Sequence, residues 1–267
     1  VEGAALTSLY FSDLFLPGKD SLLIFSDKGR MLHAFSGREA RGGPTATPLL
    51  ASSSLYLEYR RHAHSRSIPR LQMDGIGVVD PDKAATFSAD WDGPGAKGSC
   101  ILNVNCSPEG DPWQNEKKGI VRIILRKGSS LLLATGALMN NTALDNTPYV
   151  MTSDDCANGA TASDLLQSIF YFGYELPGCD SSGSLPPVKA ITGATFVASG
   201  GISCNLHSDF YLVRLNQMIP QTYQPYLLGY DRSGAVVDSV VCIHHRAGQH
   251  KQIATSFSNI VNSTYFG

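Results

Sequence analysis

The stretch NNTALDNTPYVMTSDDC, from Asn140 to Cys156, decides how the larger part of this sequence is interpreted. Its pattern predicts a strand, TPYVMTSD, that leads into a turn. Two consecutive aspartates, Asp154 and Asp155, stand at this point, directly before Cys156. Whether these two carboxylates have a catalytic or binding role depends on the kind of protein that contains them.

The composition indicates a β protein with many turns. Only 16% of the 267 residues are charged, and 26 residues are glycine. This profile is typical of antiparallel β structure and not of a helical bundle. Lys and Arg total 21 against 23 Asp and Glu, so the formal net charge is −2. Nucleic-acid binding starts from a basic face, which this balance does not suggest.

The sequence also indicates an oxidising compartment. No apolar run approaches the ~18–20 residues that cross a bilayer, and the longest, from Ile123 to Leu133, is interrupted by Arg126 and Lys127. The sequence starts at Val1 without a basic and then apolar leader, so we expect any signal peptide to have been removed. Six cysteines without a Cys-x-x-Cys pair argue against zinc or thioredoxin-type chemistry, and they allow 15 full pairings. The prediction is a secreted, periplasmic or cell-surface protein.

Three segments are predicted along the chain. Short alternating strands with Gly and Pro turns over residues 1–80 predict a small antiparallel β-sandwich. Residues 81–97 contain few strand formers and predict a linker. Residues 98–267 are again all-β, with a hairpin that turns at Lys127 to Ser130. The segment TASDLLQSIFYFGYEL, residues 161–176, fits either a helix or a strand.

Several blocks of the third segment occur in a fixed order. They are GSCILNVNCSPEGD (98–111), TGALMNNTALDNTPYVMTSDDC (135–156), SDFYLVRLN (208–216), YLLGYDRSG (226–234) and VCIHHRAGQHKQI (241–253). Together they resemble the bacterial lysyl endopeptidase family, which are secreted trypsin-like serine proteases of the chymotrypsin fold. The resemblance implies a double β-barrel, and the first segment more loosely resembles the β-rich pro-regions of such proteases.

The resemblance places a catalytic acid but no catalytic base. Asp209 matches the aspartate of the Ser-His-Asp triad, whereas Asp155 stands where the family has its histidine. A serine protease needs an imidazole whose pKa lies near 7 to take and return the hydroxyl proton. An aspartate, with a reference pKa of ~3.9 against ~6.5, is a much weaker base. Asp155 is therefore not expected to replace the histidine.

The nucleophile is also not expected in this sequence. The family carries its serine in a Gly-x-Ser-Gly-Ser turn beyond the block that contains His244 and His245. No Gly-x-Ser-Gly occurs, and the sequence ends at Gly267 before that turn is expected, so the second barrel is predicted to be incomplete. Ser203 and Ser233 are interpreted as a strand and a turn residue.

The cysteine pattern departs from the family in part. Cys106 and Cys179 match a family disulfide. Cys156 normally bridges to a cysteine beside the Thr-Gly-Ala strand, where this sequence has Ala134. The pairing of four cysteines stays open on sequence grounds: Cys100, Cys156, Cys204 and Cys242.

Other candidate groups are given structural interpretations. His207, two residues before Asp209, is too close along one strand to form a triad with it. His244 and His245 are interpreted as hydrogen-bonded barrel residues. A metal site made of Asp154, Asp155 and Asp209 is not favoured. A metal site made of His62 and His64 is not favoured either, and these two residues are interpreted as part of a solvated strand edge, on one face of the strand. No cofactor and no metal are expected.

Three functions remain in competition at this point. The favoured one is a secreted, non-catalytic protease homologue that binds protein or peptide. The second is part of a lysyl-endopeptidase-type enzyme whose nucleophile lies on a separate C-terminal segment that completes the second barrel. The third is a structural or adhesive surface protein, because fold alone does not decide function.

Overall fold

A computed structural model describes residues 6–79, 101–179, 188–200, 209–233 and 237–257. The predicted linker at 81–97 and both predicted segment boundaries lie outside these residues. The first described part contains six strands: β1 (Leu6–Phe15), β2 (Ser21–Ser26), β3 (Met31–Ser36), β4 (Thr45–Ala46), β5 (Leu55–Arg60) and β6 (Arg70–Val79). They form two antiparallel three-stranded sheets, in the orders β4-β1-β6 and β3-β2-β5.

The two small sheets share one hydrophobic core. Phe11 and Leu14 of β1 pack in the same cluster as Leu22 and Ile24 of β2 and Phe35 of β3. Burial of both inner faces against each other is the defining feature of a β-sandwich. The two-sheet arrangement follows from the alternating strands of the sequence.

The placement of His62 and His64 on a strand face is wrong. Strand β5 ends at Arg60, and both histidines follow it in a turn, where the backbone N–H of His62 donates to the buried side chain of Asp20. Asp20 also accepts from Tyr59 and Ser65. These hydrogen bonds to the carboxylate of Asp20 therefore hold the chain in a turn after β5.

The rest of the described chain contains ten further strands and two short α-helices. The strands are β7 (Ile101–Asn103), β8 (Ile120–Lys127), β9 (Ser130–Met139), β10 (Tyr149–Thr152), β11 (Ile169–Phe172), β12 (Lys189–Thr192), β13 (Ala194–Ser199), β14 (Tyr211–Leu215), β15 (Val240–His244) and β16 (Gln252–Ser256). The α-helices are α1 (Asp154–Ala157) and α2 (Ala162–Leu166). None of the helices formed by the described residues is long and apolar enough to span a membrane.

A seven-stranded antiparallel sheet dominates this part, in the order β12-β11-β8-β9-β10-β14-β13. It curls as half of a barrel and confirms the predicted all-β class. The predicted hairpin between β8 and β9 is confirmed, with Lys127 opposite Ser130 and Gly128 at a positive φ of 59°. Gly136 in β9 is required because a Cβ would lie 2.6 Å from Val150 and 2.7 Å from Ile123 in the core.

The ambiguous segment at residues 161–176 contains both elements. Helix α2 begins after Thr161, whose hydroxyl accepts from the backbone N–H of Asp164 while the Asp164 carboxylate accepts from the Thr161 N–H. This capping box starts a helix but cannot extend it. The chain then enters β11, whose four residues from Ile169 to Phe172 are all buried.

The remaining sheet has three antiparallel strands in the order β15-β16-β7. Two features join it to the seven-stranded sheet. The Cys106–Cys179 disulfide connects the chain after β7 to the chain after β11. The buried ammonium of Lys251, next to β16, donates to Glu175 at 2.9 Å.

The sandwich is attached to the seven-stranded sheet through polar contacts that are buried or partly buried. The side-chain amide of Gln167 donates to the carbonyl of Phe11 at 2.7 Å, and the backbone N–H of Leu49 donates to the Tyr171 hydroxyl at 2.9 Å. Arg126 forms an ion pair with Asp74 at 3.2 Å. These contacts place the sandwich on the side of the sheet that carries β8 and β11.

Candidate functional site

Ser153 and the first residues of α1 form a turn around the carboxylate of Asp209. Antiparallel pairing sets Thr152 opposite Tyr211, which brings the end of β10 next to the start of β14. The Ser153 hydroxyl donates to Oδ2 of Asp209 at 2.8 Å, and the backbone N–H of Asp155 donates to Oδ1 at 2.9 Å. The structure therefore brings together the two positions that the sequence singled out, although they are 54 residues apart.

The turn stabilises Asp209 as an anion. The backbone N–H of Asp155 and the hydroxyl of Ser153 lower the pKa of Asp209 below its usual value, with slight burial acting in the opposite direction. Hydrogen bonds donated to the charged form have this effect. Among the hydrogen bonds of the described residues, no histidine ring donates to this carboxylate. His207 lies outside the described residues.

The two aspartates of the turn have opposite environments. The side chain of Asp155 is exposed, whereas Asp154 is only 2% exposed. In the part of the chain that the structure describes, Oδ2 of Asp154 is buried without a hydrogen-bond partner. Asp155 was singled out from the sequence because it stands at the family's histidine position, whereas the buried Asp154 was not. Their order before Cys156 contains no signal that distinguishes them, because burial depends on strands that follow much later.

Ser233 is held in a turn. Its hydroxyl donates to Oδ2 of Asp231 at 2.9 Å, and its backbone N–H donates to Oδ1 of the same carboxylate at 2.8 Å. An aspartate that accepts from the residue two positions later is a common turn element. This geometry is that of a structural serine, and Ser203 lies outside the described residues.

The two consecutive histidines at the end of β15, His244 and His245, are built into the fold. The backbone N–H of His245 donates to the Thr135 hydroxyl at 2.9 Å, and ring atom Nδ1 lies 2.9 Å from the carbonyl of Gln249. Because a carbonyl only accepts, Nδ1 carries the proton. Burial, reinforced by the charge of Lys251, holds the pKa of His245 well below its usual value. Burial also lowers the pKa of His244. Both rings are therefore neutral at pH 7.

The disulfide implied by the resemblance is present between Cys106 and Cys179. Cys156 and Cys242 have free thiols, and Cys100 and Cys204 lie outside the described residues. Burial, followed by the charge of Asp155, raises the pKa of Cys156. This thiol therefore stays protonated at neutral pH and is a poor nucleophile.

Cys156 packs against the same core cluster as Ala134 of β9, the position where the family has its partner cysteine. We expect Ala134→Cys to form a disulfide with Cys156 and to raise the free energy of unfolding by about 3 kcal/mol. Intact mass would report the loss of two hydrogen atoms, and urea denaturation would report the stability. Ala137→Cys is the matched control, because an odd offset along β9 points its side chain to the opposite face. An Ala134→Cys protein whose mass does not show the loss of two hydrogen atoms would indicate that Cys156 does not face β9 at this position.

Within the described ranges, no group of three or more His, Cys, Asp or Glu side chains is placed so that it could hold a metal ion. The rings of His62 and His64 lie 5.6 Å apart in an exposed turn. Two imidazoles without a third ligand do not make a zinc site.

Comparison with known families agrees with the ordered sequence blocks. The family model described as lysyl endopeptidase, C-terminal domain, matches residues 94–267, about two thirds of the chain. The matched region includes the seven-stranded sheet, the turn around Asp209 and the Cys106–Cys179 disulfide. The chain therefore belongs to the lysyl endopeptidase family.

Proposed function

We propose that this chain is a secreted, non-catalytic member of the lysyl endopeptidase family that binds a protein or peptide. The observation that carries the proposal is the environment of Asp209. Its two carboxylate oxygens accept from Ser153 and from the backbone of Asp155, and the side chain at position 155 is an exposed carboxylate. The acid position of a triad is thus retained, while the family's histidine position carries a carboxylate and no imidazole is among the described contacts of Asp209.

The missing imidazole is decisive for acyl transfer. A serine hydroxyl becomes a strong nucleophile only when a base takes its proton as the carbonyl is attacked, and the same base must later protonate the leaving amine. A carboxylate in place of the imidazole meets neither demand, because it is a much weaker base. Loss of a triad member typically lowers turnover by ~10⁴–10⁶-fold. The sequence also contains no Gly-x-Ser-Gly turn to provide the nucleophile.

Secretion is proposed from the Cys106–Cys179 disulfide together with the family relationship. Peptide binding is proposed because the sheet and the turn around Asp209 are kept, whereas position 155 carries no imidazole and the sequence contains no Gly-x-Ser-Gly turn.

Two parallel incubations test the catalytic and the binding part of the proposal. The protein is incubated with a fluorescent lysine-containing peptide in one sample and with a fluorophosphonate probe in the other. We expect the fluorescence anisotropy to rise on binding, while mass spectrometry finds the peptide intact and no serine labelled. An active lysyl endopeptidase serves as the positive control. The Asp155→His variant is expected to be equally inactive, because restoring the base does not supply the nucleophile.

Each result bears on one part of the proposal. Cleavage of the peptide, or specific labelling of one serine, would overturn the loss of catalysis. Unchanged anisotropy at millimolar protein would overturn peptide binding. Intact mass of the protein from its native source tests the alternative of a separate segment, since a single species of this chain alone would remove it.

A further inference from the structure

A pocket of about 490 Å³ opens beside the turn that carries Asp154. Helices α1 and α2 form one side, and strands β13 and β14 form the other. The volume lies within the range of about 300–1,000 Å³ that is usual for small-ligand sites. Ser153, Asp155 and Asp209 do not line this pocket, and the backbone of Asp154, which also helps to lower the pKa of Asp209, connects the pocket with that turn.

The walls of the pocket are mostly apolar. Leu165 and Leu166 of α2 provide aliphatic surface, while Phe196 and Tyr211 provide two aromatic rings whose centroids lie 5.1 Å apart. Such walls are suited to a hydrocarbon chain, and the electron-rich faces of aromatic rings attract cations.

Asp154 is the exception among these walls. Its side chain lines the pocket, it is 98% buried, and its Oδ2 atom has no hydrogen-bond partner among the described residues. Buried carboxylates in native proteins are nearly always paired with a cation or with hydrogen-bond donors. Burial raises the pKa of Tyr211, and the negative charge of Asp154 raises it further. The charge of Asp154 therefore acts on another residue that lines the same pocket.

We propose that this pocket binds a primary alkylammonium ion, with its ammonium group on the Asp154 carboxylate and its carbon chain against Leu165 and Leu166. An ammonium group has three donors. Asp154 accepts one, and the hydroxyl oxygens of Thr195 and Ser199, which line the same pocket, are acceptors for the others. Thr195 already donates its proton to Asn216 at 2.7 Å, so the lone pairs of its oxygen are oriented to accept.

A metal ion fits the pocket less well than an organic cation. The pocket contains one carboxylate, and no metal-binding cluster exists among the described residues. Calcium takes six to eight oxygen ligands. The apolar walls would leave a bare ion without ligands, whereas they bury the methylene groups of an alkylammonium.

Isothermal titration calorimetry with n-butylammonium chloride tests the proposal, and n-butanol serves as the uncharged comparison. We expect saturable binding of the ammonium salt to the wild-type protein and at least tenfold weaker binding to Asp154→Asn. Asp155→Asn is the matched control, because it removes the same charge from the neighbouring exposed residue. It is expected to change the affinity less than twofold.

A second variant keeps the proposal testable if Asp154→Asn does not fold. Ala162 is exposed at the start of α2 and lines the pocket, so Ala162→Phe fills the site without altering the core. We expect Ala162→Phe to abolish the binding. Equal affinity for n-butylammonium and n-butanol, equal losses in Asp154→Asn and Asp155→Asn, or undiminished binding to Ala162→Phe would overturn the proposal. The proposal is independent of the proposed loss of catalysis, since none of these measurements involves proteolysis.

Discussion

Replacing Cys106 and Cys179 together with alanine is expected to lower the free energy of unfolding by about 4 kcal/mol. The two cysteines are 73 residues apart, so their bond closes a long loop and restricts the unfolded chain strongly. The disulfide also joins the part that follows β7 in the three-stranded sheet to the part that follows β11 in the seven-stranded sheet. Its loss is therefore expected to loosen the contact between the two sheets before either sheet unfolds.

Urea denaturation monitored by circular dichroism measures this effect, and hydrogen exchange identifies the sheet that opens first. Cys242→Ser is the control, because Cys242 is an exposed free thiol whose replacement is expected to change stability by less than about 0.5 kcal/mol. A double alanine variant within about 1 kcal/mol of wild type would show that the sheets hold together without the disulfide.

Glu175→Gln is expected to destabilise the protein by about 3–5 kcal/mol. The carboxylate of Glu175 accepts from Lys117 and from Lys251, each at 2.9 Å, and the Lys251 side chain is completely buried. Removing the shared negative charge leaves two ammonium groups facing each other inside the protein. An uncompensated buried charge is far more costly than a broken surface ion pair. The change is measured as a shift of the urea midpoint, with Glu109→Gln, the same substitution at an exposed position, as the control.

The same variant is expected to alter the acid limb of the stability curve. Burial alone would raise the pKa of Glu175, but the charges of Lys251 and Lys117 outweigh it and lower that pKa below 4.5. A depressed carboxylate pKa stabilises the fold above the unfolded value, and this stabilisation is lost as the pH falls through the folded value. The wild-type protein therefore loses stability below about pH 4.5, and Glu175→Gln should lose less over the same interval. Parallel acid limbs for the two proteins would contradict this assignment.

Much of the fold follows from local sequence patterns. The hairpin at Lys127 to Ser130 was predictable because alternating apolar residues flank a Lys-Gly turn, and Gly128 adopts the positive φ that such a turn needs. The two sheets of the sandwich follow from the same kind of alternation. The ends of α2 were less predictable, since its capping box and the buried strand after it produce competing periodicities within one short segment.

The candidate site was predicted in part. The resemblance carried by the ordered blocks implied Asp155, Asp209 and the Cys106–Cys179 disulfide, and the structure brings the first two together through one hydrogen bond. Their roles remain proposals. The turn position of His62 and His64 was not predictable from strand alternation, because it depends on hydrogen bonds to Asp20, some forty residues earlier.

The sequence by itself determined the family, the all-β class and the absence of an imidazole directly before Cys156, because these depend only on which residues follow one another. The tertiary structure alone decided that Asp154 is buried while its neighbour Asp155 is exposed. The physical reason is that burial is set by packing between distant segments: β13 and β14, which follow some forty to sixty residues later, form the wall that covers Asp154 and leaves Asp155 in solvent.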